Sequence, residues 1–223
     1  MRKRKFLPSK MLVLGVMSLS ILLQPVQASA ANATGDTRIK IWYDSMNDRE
    51  LYLKLYNQVR DIPVPLQDIF NSLNWKITLE DYDFGPEYNY TQALSGVTDY
   101  GQKKIRVVAT EHTDRQSTIE HEFGHFIDGL YHYINSTYYS YSYTEEWQRI
   151  YNEEHANIPN SREQGYDSIG YEYSPAEYFA EAFVAYLENE EELARACPQT
   201  YGFIGTLVNM YCTTDNIEEL LGK

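Results

Sequence analysis

His121-Glu122-Phe123-Gly124-His125 is the part of this sequence whose residue types and spacing are best suited to chemistry. On a helix, histidines four residues apart differ by about 40° in azimuth and roughly 6 Å along the axis, so both imidazoles can be aimed at one ion. Glu122 is rotated about 100° from His121, which sets its carboxylate beside the open coordination position. There it can take a proton from water and later deliver it to a leaving amine. Zinc suits this donor set and supplies a hydroxide equivalent near neutral pH and a Lewis acid for a carbonyl. The same five residues also fit an ordinary amphipathic helix with exposed polar groups. Against that, Ile119, Phe123, Phe126, Ile127 and Leu130 form a separate apolar stripe and leave another face for chemistry. Gly124 costs ~1 kcal/mol against Ala in a helix interior, which points to close packing or a ligand there. Residues 104–109 (KIRVVA), just upstream, could be an edge strand that receives an extended peptide by main-chain pairing.

A catalytic zinc needs a third protein ligand and an open fourth position. Asp128 shares the helix face but lies beyond His125 along the axis, so its short side chain suits a supporting or surface role. Residues 174–183 (SPAEYFAEAF) offer more. Ser174 reads as an N-cap with Pro175 in the first helical position. Glu177 and Glu181 then share one face, while Phe179, Phe183 and Tyr186 share another. Two such carboxylates suggest a metal ligand and an acceptor for the far nitrogen of a ligating histidine. Ser174-x-x-Glu177 is also a capping box, in which Glu177 would close its own helix and Glu181 would be the ligand. Spacing slightly favours Glu177 as ligand and leaves the alternative open.

The elements that must position these groups fall into two halves. Residues 38–43, 75–79 and 104–109 read as strands, and 51–59 and 66–73 as helices separated by Pro63 and Pro65. Residues 80–103 have little period of their own. The chain then turns helical over 116–130, 145–155, 174–187 and two segments of 190–212 broken at Pro198, with the tyrosine-rich 131–143 read as a loop. Residues 1–30 have a basic start, an apolar run from 11 to 23 and small residues at Ala28-Ser29-Ala30, and read as a secretory signal peptide cleaved after Ala30. That segment holds five of the 19 Lys and Arg and none of the 32 Asp and Glu, so 14 basic residues against 32 acidic ones leave the mature chain at −18. Such acidity disfavours nucleic acid or an anionic membrane as partner, and no membrane insertion is expected. Cys197 and Cys212 could form one disulfide in an exported protein or remain as two buried thiols.

HEFGHFID followed some fifty residues later by EYFAEAF resembles the anthrax lethal factor-like zinc metallopeptidases, within which the secreted Pro-Pro endopeptidases are closest. The match extends to 196–201 (ACPQTY) and covers 116–203 well, with the N-terminal half alike only in layout. The resemblance implies zinc held by His121, His125 and Glu177, with Glu122 as base and Glu181 as the carboxylate behind a ligand. The family also places a tyrosine, which helps hold the oxyanion, seven residues before the ligand Glu. Here that position is Gly170, so the expectation moves one residue to Tyr171, with Tyr166 and Tyr173 nearby. The Pro-Pro enzymes carry a Trp-containing, Gly-rich segment before the edge strand, whereas 85–103 has Gly96 and Gly101 but no Trp.

The expected fold is α+β, a small N-terminal sheet with helices followed by a helical C-terminal half, in a zincin-like two-lobed arrangement with the active-site helix between lobes. Residues 31–223 form one domain, with lobes at 31–115 and 116–223. The expected function is a secreted, monomeric zinc endopeptidase that cuts extended segments of extracellular or cell-surface proteins, with proline near the scissile bond as one specificity. The competing readings are a non-catalytic zinc-containing binding module of the same fold and a host-directed toxin protease.

Overall fold

Pro63 and Pro65 divide the first helical stretch as expected, because proline is tolerated only in the first turn of a helix. In a computed structural model that describes residues 38–43, 49–89, 93–109, 117–135, 139–159 and 174–213, α1 spans Arg49–Asp61 and α2 spans Val64–Ser72. The apolar spacing of α1 buries Leu51, Leu55 and Val59 together with Gln58. Four strands, β1 (Ile41–Tyr43), β2 (Lys76–Glu80), β3 (Gly96–Asp99) and β4 (Lys104–Val108), form one sheet in the order β1-β2-β4-β3. β1, β2 and β4 run parallel, while β3 is antiparallel to β4 with Thr98 opposite Ile105. Alternation in β2 buries Ile77 and Leu79 on one face, and Ile105 and Val107 of β4 join them there.

Residues 104–108 are therefore not an edge strand, since β4 pairs on both sides; among the described residues the outer strands are β1 and β3, and β3 is the one beside β4. Its sequence, GVTD, carries no alternating apolar pattern because all four residues are only partly covered. A short hairpin makes the pairing: Asp99 Oδ1 accepts from the Gln102 N–H at 2.8 Å, and Lys103 takes a left-handed φ of 52°.

The helical half begins with α3 (Thr118–Asn135), followed by α4 (Glu145–Glu154), α5 (Pro175–Glu188), α6 (Glu190–Ala196) and α7 (Pro198–Thr213). Residues 131–135 belong to α3 rather than to a loop, and 141–143 form a 3-10 turn. Asp128 explains how that turn is held. It is buried, 3 % exposed, and both of its oxygens accept from Ser142, Oδ1 from the N–H and Oδ2 from the hydroxyl, each at 2.7 Å. Its role is thus interior, not at the surface. Phe123 and Phe126 of α3 meet Phe70 of α2 at ring-centre distances of 5.3 and 4.9 Å, and Phe123 stacks on Phe183 of α5 at 6.2 Å. The core thus runs from the sheet through α3 into the helical half.

Both cysteines are free, Cys197 buried and Cys212 partly so. They sit at opposite ends of α7, roughly 22 Å apart at 1.5 Å per residue, far beyond the reach of a disulfide. Among the described residues, no helix is long and apolar enough to cross a membrane. Residues 1–30, the expected signal peptide, lie outside the described residues.

Candidate metal centre

α3 carries His121, Glu122 and His125 on buried turns, and its start is anchored from α1, where Gln58 Oε1 accepts from the Ile119 N–H at 2.9 Å. α5 brings the second motif to it. Ser174 caps that helix by accepting from the Glu177 N–H at 3.2 Å, with Pro175 in the first turn. The backbone of Glu177 is thus capped while its side chain turns elsewhere. Its two oxygens lie 3.2 Å from His121 Nε2 and 3.5 Å from His125 Nε2. Glu181, one turn on, places Oε1 2.9 Å from His121 Nδ1.

The close approach of the two helices depends on Gly124. A Cβ there would stand 2.8 Å from Ala180 Cα and 3.1 Å from the Ala180 carbonyl oxygen, both backbone atoms. No side chain fits at this crossing, and the crossing sets Glu177 against the two imidazoles. The packing reason for this glycine, read from its cost in a helix, is therefore visible in the structure.

His121, His125 and Glu177 could hold a metal ion: one ligand atom from each lies within 4.8 Å of the others. The donor chemistry fits zinc. In a tetrahedral site with ligands at about 2.0–2.1 Å, neighbouring ligand atoms sit roughly 3.3 Å apart, which the 3.2 and 3.5 Å separations approach. Burial raises the Glu177 carboxyl, but the hydrogen bonds and charges of His121 and His125 outweigh it and hold the group well below the usual carboxylate range. Burial in turn lowers His125, and the Glu177 carboxylate overrides that to raise it. An ionised carboxylate and two ring nitrogens converging on one point are what a divalent cation requires. A proton held on Nδ1 of His121 by Glu181 would leave the Nε2 lone pair for an ion bound in the cluster.

Glu122 is buried, 7 % exposed, and turns toward the edge strand rather than toward Glu177. Thr98 Oγ1 lies 2.8 Å from Glu122 Oε2 and 2.7 Å from the Glu122 carbonyl oxygen. At Gly96, a Cβ would stand 2.8 Å from Glu122 Oε1. Thr98 and Gly96 belong to the site but lay in the stretch without period; Gly96, a glycine two residues from a hydroxyl in a short strand, was their only trace. Tyr171, the expected oxyanion partner, lies outside the described residues, as do Tyr166, Gly170 and Tyr173.

Comparison with known proteins extends the likeness toward the N-terminus. The family described as anthrax toxin lethal factor, N- and C-terminal domain, matches residues 49–207, from the start of α1 well into α7. Among solved structures, the chain is similar to the Pro-Pro endopeptidase PPEP-2 from Paenibacillus alvei. The two share 22% identity and a TM-score of 0.56, over 75% of this chain and 96% of that one. At this identity the likeness concerns the fold, and it is the α+β arrangement of small sheet and helical half described above. No curated protein sequence matches the chain.

Proposed function

The chain belongs to the anthrax toxin lethal factor family, and from that premise we propose that it is an exported zinc-dependent endopeptidase. The observation that carries this reading is the convergence of His121, His125 and Glu177 from two helices, with Glu122 on the same turn as His121. His121, His125 and Glu177 hold the ion, and Glu181 fixes the His121 ring through Nδ1. Zinc bound there supplies a Lewis acid for the scissile carbonyl and a source of hydroxide near neutral pH.

Glu122 does the proton work. Its carboxylate takes a proton from the attacking water and returns it to the amine nitrogen as the peptide bond breaks, so one group serves as base and then as acid. Among the described residues β3 is an outer strand of the sheet, beside that carboxylate, and suits an extended peptide bound by main-chain hydrogen bonds. Export rests on the character of residues 1–30. The fold it shares with a Pro-Pro endopeptidase makes consecutive prolines the first sequence to place at the scissile bond.

Glu122→Gln tests the proposal. Zinc should remain bound at one equivalent while peptide cleavage falls by at least ~10³-fold, since the amide accepts no proton. Cleavage profiling of a proline-enriched peptide library by mass spectrometry, with and without a chelator, reads both activity and specificity. Hydrolysis that survives in the Gln variant would sink the mechanism.

A further inference from the structure

β3 is joined to α3 by side chains two residues apart. Thr98 Oγ1 lies 2.7 Å from the Glu122 carbonyl oxygen and 2.8 Å from its Oε2, so that its one proton is shared between the two, and Tyr100, just past the strand, donates its hydroxyl to the His125 carbonyl oxygen. Glu122 and His125 are one helical turn apart, so the strand edge is fastened along the turn that carries the metal motif. The Tyr100 ring lies where a Cβ on Gly129 would be, 2.3 Å from that position, and packs edge-on against Trp75 at 5.5 Å. The base is thus set against a strand whose register on the helix is fixed.

Within this arrangement the two oxygens of Glu122 are not equivalent. Oε2 lies 2.8 Å from Thr98 Oγ1. Oε1 passes over Gly96, where any side chain would press on it at 2.8 Å. A hydroxyl that donates to a carboxylate makes a charge-assisted bond, stronger than one between neutral groups. The geometry points to Thr98 as a positioning residue for proton transfer: its hydroxyl holds Glu122 by Oε2 and leaves Oε1 as the oxygen that exchanges the proton. Gly96 is the companion feature: its missing side chain leaves room for the Glu122 side chain and the Thr118 methyl to lie directly against the strand. This rests on the peptidase reading above. It adds that the strand expected to bind substrate also orients the base, so that docking and proton transfer share one rigid element.

Thr98→Val removes the hydroxyl and keeps the shape, and Thr98→Ser keeps the hydroxyl. In the zinc-loaded protein, Thr98→Val should lower kcat roughly 10- to 100-fold, the scale of a misoriented catalytic group. KM and zinc content should be unchanged, and Thr98→Ser should stay within about threefold of the parent in kcat. A purely structural role would raise KM, or would make the Val and Ser variants fall together, and either result overturns the inference. A second measurement is independent of turnover. In thermal unfolding, Thr98→Val should lower Tm by several degrees in the parent and by measurably less in a Glu122→Ala background, where the bond to the carboxylate is gone and only that to the residue-122 carbonyl remains. Should the parent cleave no peptide at all, the peptidase reading fails and this cycle alone decides whether Thr98 holds Glu122. Additive Tm shifts would then overturn it.

Discussion

At His121 the two ring nitrogens have different partners, Nε2 at 3.2 Å from Glu177 and Nδ1 at 2.9 Å from Glu181. This division sets which tautomer the ring adopts, since a proton on Nδ1 leaves the Nε2 lone pair free for a cation. Glu181 meets the cluster at His121 Nδ1, and its effect on a metal passes through that ring. Such supporting carboxylates fix ring orientation and raise ligand basicity, and removing one costs about 10- to 100-fold in metal affinity. Glu181→Ala should therefore weaken zinc binding by that factor in a competition titration with a chromophoric chelator. Glu181→Gln, which can still accept from Nδ1 but carries no charge, should fall between the two. An Ala variant that binds zinc as tightly as the parent would remove Glu181 from the site.

At the scale of elements, the crossing of α3 and α5 determines whether the residues meet at all. Gly124→Ala places a methyl group 2.8 Å from backbone of α5, which cannot yield as a flexible side chain would. The helices must separate, at a cost of roughly 1–3 kcal/mol for overpacking, and Glu177 must retreat from the imidazoles. The variant should lose both thermal stability and zinc affinity, though it changes no ligand. A stability loss with zinc affinity unchanged would show that the crossing and the site are independent. That something packs or binds closely at Gly124 was legible in the sequence, because a glycine inside an amphipathic helix needs a reason, but that α5 crosses there was not. The helices were legible too, since apolar spacing, caps and prolines are local signals, and so was the pairing of the two motifs. β3 was not. Its residues are half covered, its glycine makes room for Glu122 and its threonine bonds Glu122, so each answers to a partner distant in sequence rather than to a strand period. The extension of α3 through 131–135 was hidden for a related reason. Its tyrosines are poor helix formers that gain their place by packing, as Tyr131 does edge-on against Tyr141 at 4.9 Å.

For the whole molecule, the three candidate ligands divide between α3, which packs on the sheet, and α5, which packs with α7 and the rest of the helical half. A metal ion there would be a cross-link between α3 and α5. The chain's net charge of −13 favours the approach of a cation to a buried cluster containing Glu177 and Glu181. Because unfolding would disperse ligands about fifty residues apart in sequence, binding energy becomes folding energy. With free zinc at a thousand times its dissociation constant, the contribution is about 4 kcal/mol. At roughly 2–4 °C per kcal/mol for a domain of this size, stripping the metal should lower Tm by ~8–16 °C. Calorimetry with and without EDTA measures the shift, and Glu177→Ala supplies the control, since it should melt near the stripped temperature and respond little to chelator. If the parent carries stoichiometric zinc yet EDTA leaves its Tm unmoved, the ion does not join the two helices and must be held elsewhere than between α3 and α5.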